Sequence, residues 1–197
     1  MKIYYYILLL SISLSVIVAA PTTNSFHHHH HHLNNSNSKS TSTENIPKIV
    51  KRITNTTSKS QALNRSTSSI NLSTGKAGLD RISPGLDVIR YEIINLINDL
   101  NHFEPIQDDV IAWTILNHLN KLTIANENLL ETLIVNNKLV KKLGWNIETF
   151  KTLKNLDFTW KNFFQSLTTI LPNHIEHLEL IEFRSMNILD KALRTFY

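Results

Sequence analysis

Residues 83–103 read SPGLDVIRYEIINLINDLNHF, and their spacing decides the fold. Leu86, Ile89, Ile93, Leu96, Leu100 and Phe103 recur three and four positions apart, which puts them on one face of an α-helix. Ser83-Pro84 reads as N-cap and first helical residue. Glu104 stands before Pro105, which disfavours helix there and stops the element.

The same period runs to the end of the chain. A second helix opens at Pro105, with Asp108 and Asp109 in its first turn to complement the dipole. Its stripe of Ile111, Ile115, Leu119 and Leu122 continues into Leu129, Leu133, Val140 and Leu143. It is either one long helix or two, broken near Asn126-Glu127-Asn128. Lys141, Lys142 and Gly144 form its C-terminal signal. Asn146 caps a third helix with the stripe Ile147, Phe150, Leu153, Leu156, Trp160, Phe163, Leu167 and Ile170, ended by Pro172. A fourth carries Ile175, Leu178, Ile181, Ile188, Ala192 and Phe196. No segment alternates as a strand. Four such helices, or five if the second breaks, predict an all-α antiparallel bundle over residues 79–197.

Upstream the composition changes. Residues 20–78 are rich in Ser, Thr and Asn and poor in large apolar side chains, which predicts a disordered tail. It holds the sequons of Asn34, Asn55, Asn64 and Asn71, whereas no Asn after Leu79 lies in one. That segregation predicts glycans on the tail and none on the packing helices. His27, His28, His29, His30, His31 and His32 form a tract with three readings: natural low complexity, a purification tag, or a site for Zn or Cu ions. Lys51-Arg52 is a dibasic pair in a context read as extended and exposed. Cutting there by a kexin-type convertase would release 20–52 as a pro-segment.

The first residues say where the chain is expected to work. Met1-Lys2, an apolar run from Ile3 to Val18 and then Ala19-Ala20-Pro21 make a secretory signal peptide over 1–19, cut after Ala19. The expected location is outside the cell or at the cell wall.

Composition narrows the chemistry. The chain has no cysteine, so thiol catalysis, cysteine zinc sites and disulfide frameworks are excluded. From Pro21 to Gly78 there are seven Lys/Arg and one acid, and from Leu79 to Tyr197 twelve Lys/Arg and fifteen Asp/Glu. The basic excess therefore sits on the tail, read as solvated, and the folded part offers no basic face for nucleic acid. No phosphate loop or nucleophile elbow is present. His174-Ile175-Glu176-His177 puts two imidazoles three apart, but the zinc-protease and di-iron spacings are missing, so exposed helix histidines are the plainer reading. His102 and His118 could join Asp99 or Asp108 in acid–base chemistry, though nothing in the spacing requires it. The expectation is a non-enzyme without a cofactor.

Aromatic residues gather in the third helix. Trp160 and Phe163 fall on its stripe and read as core. Phe158 and Phe164 fall partly off it and are the candidates for an apolar binding face.

With these residues on the page, the body resembles fungal hydrophobic surface-binding protein A-type proteins. The resemblance rests on Leu86-Asp87-Val88-Ile89 to Phe103, and on Leu167-Thr168-Thr169-Ile170-Leu171-Pro172 followed by Ile175 and Leu178. It implies a secreted, all-helical protein that adsorbs to hydrophobic surfaces at the cell wall, and carries over no functional residue. The expected function is a secreted glycoprotein binding an apolar ligand, hydrophobic surface or cell-wall component through its bundle. The alternative is an effector or toxin precursor, processed at the dibasic pair and contacting membranes.

Overall fold

The computed structural model describes residues 41–71, 77–78 and 80–197. Ala19 with the rest of the expected leader, the tract His27–His32 and the sequon at Asn34 lie outside the described residues. The elements are α1 (Thr41–Ser68), α2 (Ile82–Leu100), α3 (Asp109–Val135), the short α4 (Asn137–Lys142), α5 (Asn146–Ile170), a 3-10 turn (Pro172–His174) and α6 (Ile175–Phe196). Among the described residues there is no strand, so the all-α bundle stands.

Helix α1 corrects the expectation of a disordered tail. Its inward stripe is Ile46, Ile49, Ile53, Thr56, Ser60, Leu63 and Thr67, all buried at spacings of three and four. Three of these seven positions carry hydroxyls. Thr56 donates to the carbonyl of Arg52 at 2.9 Å and Thr67 to that of Leu63 at 2.8 Å. A hydroxyl satisfied on its own helix can be buried without an orphaned donor. The composition that suggested disorder is thus compatible with packing. What holds the segment helical is its tertiary contacts rather than its own propensity.

Among the described residues five long helices close into a ring. α1 packs on α2 and α3, α3 on α6, α6 on α5, and α5 on α2. Lys48 and Arg52 reach Asp99 while Lys59 reaches Glu92, so α1 and α2 run antiparallel. Ser60 meets Asn126 and Thr67 meets Asn136, so α1 and α3 run the same way. Asp109 meets His174 and Asn120 meets Arg184, so α6 also runs with α3. Successive long helices alternate in direction, and α1, α3 and α6 lie side by side on one flank. The close α1–α2 approach falls at Gly85, where an added Cβ would stand 2.5 Å from Leu63 Cδ1.

The excess cations of the tail are partly used up in this seam. Arg52 Nε lies 2.6 Å from Asp99 Oδ2, and Lys48 Nζ 2.8 Å from Asp99 Oδ1. Burial alone would push the Asp99 carboxyl up; the hydrogen bonds and charges of Lys48 and Arg52 more than reverse this and hold it below the usual range. These cations are structural partners of α2 rather than wholly solvated charges.

The interior is filled by aromatic rings. Trp160 stacks on Phe164 with centroids 5.5 Å apart and meets Phe163 edge-on at 5.7 Å. Phe164 is only 1% exposed, which corrects its expected place on a binding face. In a ring of five helices α5 has neighbours on two sides, so a wider arc of its surface is covered than its main stripe indicates.

Several boundaries move. α2 begins at Ile82, so Ser83 is its second residue and caps nothing. α3 begins at Asp109, with Asp108 as N-cap accepting from the amides of Val110 and Ile111 at 2.8 and 3.1 Å. The break in the long hydrophobic run falls at Asn136 instead of Asn126–Asn128. α4 ends in a Schellman motif: Gly144 takes φ 80°, its amide bonds Lys141 O, and the Trp145 amide bonds Val140 O. Asn146 is helical, with Trp145 before it as the N-cap residue.

Candidate functional site

The cleft between α3 and α6 is built from two facing strips of the same period. α3 supplies Trp113, Leu116, Asn117 and Asn120; α6 supplies His177, Leu180, Ile181 and Arg184, with Phe183 at the edge. Each strip spans positions i, i+3, i+4 and i+7, about 10 Å of helix. Because the helices run parallel, like ends meet: Trp113 faces His177 and Asn120 faces Arg184. The cleft has a volume of about 400 Å³, within the range of small-molecule sites.

Its middle is apolar. Leu116 is buried and Ile181 half-buried, and together they form the floor. The walls are large apolar side chains left in water: Trp113 is 42% exposed, Leu180 66% and Phe183 70%. Burying such a side chain is worth about 1.5–3 kcal/mol, so leaving three together exposed is a cost that marks an interaction site.

The two ends differ. At the first end His174, buried on the 3-10 turn, places Nε2 3.2 Å from Asp109 Oδ1. Trp113 meets both imidazoles edge-on, His174 at 5.3 Å and His177 at 4.7 Å. At the other end Arg184 grips Glu127 through Nε at 3.1 Å and Nη2 at 2.6 Å, and its Nη1 donates to Asn120 Oδ1 at 3.3 Å. Close by in sequence on the same two helices, the Thr123 and Ser185 hydroxyls meet at 3.2 Å in the buried seam. One residue before Phe183, burial and then the neighbouring Glu179 push the Glu182 carboxyl up.

The residues singled out in the sequence fall elsewhere. Phe158 is 66% exposed on α5 and does not line this cleft. His174 is buried, contrary to the reading of exposed histidines, whereas His177 is exposed and lines the cleft. Among the described residues no group of three or more His, Cys, Asp or Glu could hold a metal ion. His118 Nδ1 lies 3.2 Å from Thr54 Oγ1 and His102 is exposed just past α2; neither joins Asp99 or Asp108. Lys51 and Arg52 sit inside α1, so the extended context expected of the dibasic pair is replaced by helix, with Arg52 tied to Asp99. Asn55 and Asn64 also lie on this packing helix: Asn55 is exposed, whereas the Asn64 carboxamide oxygen is buried without a partner. Asn71 is exposed past the end of α1.

The same fold occurs in solved domains that hold fatty acids. Ligand binding domain 1 of the Penicillium marneffei MP1 protein, complexed with arachidonic acids, matches with a TM-score of 0.69 at 14% identity, covering 78% of this chain and 97% of that one. AFMP4P in complex with palmitic acid matches with a TM-score of 0.71 at 11% identity, covering 77% and 99%. Ligand binding domain 2 of the MP1 protein, complexed with multiple arachidonic acids, gives 0.68 at 12% identity, covering 81% and 98%. No protein-family model and no curated protein sequence matches the chain. What the resemblance read in the sequence shares with these domains is the all-helical fold.

The cleft itself was missed in the sequence. Leu180 and Phe183 are large apolar residues off the α6 stripe, three apart on its outer face, and that was the available signal.

Proposed function

We propose that this protein is a non-enzymatic binder of a single-chain apolar ligand of the lipid class, seated in the α3/α6 cleft. The observation that carries the reading is the apolar trough of Leu116 and Ile181 walled by exposed Trp113, Leu180 and Phe183. The fold shared with domains solved around arachidonic and palmitic acids supports it. The leader over residues 1–19 and the exposed sequon of Asn55 support an exported, glycosylated form of this binder. An interaction with a hydrophobic surface would use the same three exposed walls.

The test is a titration of the purified, delipidated protein with palmitic acid, read by displacement of an apolar fluorophore. Saturable displacement is expected. Leu180→Asp combined with Phe183→Asp should weaken it at least about tenfold, since each charge replaces an apolar contact. Both positions are exposed, so melting should barely move. Absent displacement, or displacement indifferent to the double variant, would contradict the reading.

A further inference from the structure

The two ends of the cleft are chemically unlike, and this gives the ligand an orientation and a charge. We propose that Arg184 is the headgroup anchor of the α3/α6 cleft, that the preferred ligand is an anionic amphiphile with a carboxylate head, and that Glu127 is the resident carboxylate with which that head must compete. The proposal rests on the reading of this cleft as a lipid site.

Arg184 lines the apolar cleft and lies at its polar end, one residue after the Phe183 wall and one helical turn beyond Leu180. A guanidinium has five N–H donors in a fixed plane. Three are engaged: Nε and Nη2 by Glu127, and one Nη1 proton by Asn120. Two remain, one on each terminal nitrogen. Arg184 is held in place before any ligand arrives, because Glu127 and Asn120 fix its plane from α3. A pre-oriented guanidinium loses little freedom on binding a second carboxylate.

The Asn120 side chain lies at the same end, with Asn117 one turn before it on α3, and both line the cleft where they can hydrogen-bond a head group. The acyl chain would then run along Leu180, Ile181 and Leu116 toward Trp113 and His177. Reversing the ligand would press its apolar tail on Arg184 and the two carboxamides, leaving their remaining donors unpaired.

Glu127 sets the selectivity. With Arg184 it makes a neutral pair, so an anionic head leaves the site with one excess negative charge. Neutralising Glu127 should therefore strengthen binding of an acid. An amine head would make the opposite demand and would need Glu127.

The experiment compares dodecanoic acid, dodecanol and dodecylamine on the full chain by calorimetry. A charge-assisted hydrogen bond is worth about 1.5–3 kcal/mol, so the acid should bind roughly tenfold or more tighter than the alcohol. Arg184→Gln should erase that ratio and leave alcohol binding in place, with Arg184→Lys keeping part of it. Glu127→Gln should tighten the acid severalfold and leave the alcohol unchanged. Arg194→Gln, which removes an exposed cation paired with Asp190 one turn before it, should change none of these. Equal affinity for acid and alcohol, or a ratio that survives Arg184→Gln, would overturn the anchor while the apolar cleft still stands. A preference for the amine that Glu127→Gln abolishes would assign the head site to Glu127 instead. Failure of all three ligands to bind would remove the lipid reading along with the anchor.

Discussion

Ser60 on α1 donates its hydroxyl to Oδ1 of Asn126 on α3 at 2.7 Å, and both side chains are buried. This buried polar contact, with those of Thr54 to His118 and of Asn136 to Thr67 along the same seam, fixes the axial register of α1 against α3, because sliding either helix would strand both groups. Ser60→Ala removes one partner and leaves the Asn126 carboxamide short of a bond. The expected cost is about 1–3 kcal/mol, the penalty of an unsatisfied buried polar group. Replacing both, with Ser60→Ala and Asn126→Leu together, should cost less than the sum of the single changes. Urea unfolding of the four proteins in this cycle measures the difference.

α1 should be indispensable to the bundle. A chain beginning at residue 79 would expose the faces of α2 and α3 that Ile46, Ile49, Ile53 and Leu63 cover. At about 25 cal/mol per Å² of apolar surface, losing several such side chains exceeds the margin of a typical domain, about 5–15 kcal/mol. A chain beginning at residue 39 should melt cooperatively, and one beginning at 79 should not. A sharp thermal transition in the shorter chain would contradict the ring.

The aromatic core gives a second stability test. Trp160→Ala and Phe164→Ala should each cost about 3–5 kcal/mol, since both rings are buried and stacked on one another. Phe158→Ala should stay within about 0.5 kcal/mol, as expected of an exposed side chain with no special contact. Thermal melts of the three variants decide this, and a mild Phe164→Ala would place that ring outside the core.

Asp99 gives a pH test. Against the effect of burial, Lys48 and Arg52 hold its carboxyl below the ordinary value of 3.8. A depressed folded-state value contributes stability above the unfolded value, and that contribution is lost as pH falls through the lower, folded one. Asp99→Asn should therefore destabilise the protein at pH 7, and the difference should shrink as pH falls below 3.8 and vanish below the lower, folded-state value. The same change should loosen the first half of α1. Amide exchange over residues 45–53 and cleavage by a kexin-type protease after Arg52 should both rise, whereas the native chain should be cut slowly.

The contrast between α1 and α5 shows what the sequence could reveal. α5 announces itself because Leu153, Leu156, Trp160, Phe163 and Leu167 are apolar at every turn, and Pro172 marks its end. α1 has the same period but fills it with Thr56, Ser60 and Thr67. Thr56 and Thr67 are buried with their hydroxyls turned back onto carbonyls of their own helix, and Ser60 with its hydroxyl on Asn126, none of which composition displays. Phe164 is buried for a different reason: α5 is covered by α2 on one side and by α6 on the other, so its buried arc is wider than its main stripe. The cleft depends on α3 and α6 running side by side in the same direction. Leu180 and Phe183 are visible as off-stripe residues, but only the ring brings Trp113 to face them.

The proposed seat of an apolar ligand between α3 and α6 is tested by methyl NMR of the protein titrated with palmitic acid. Saturable shifts are expected at Leu116, Leu180 and Ile181, with little change at Leu153 and Leu156 in the buried core. Shifts concentrated in the core methyls, or none at the three cleft residues at saturation, would contradict it.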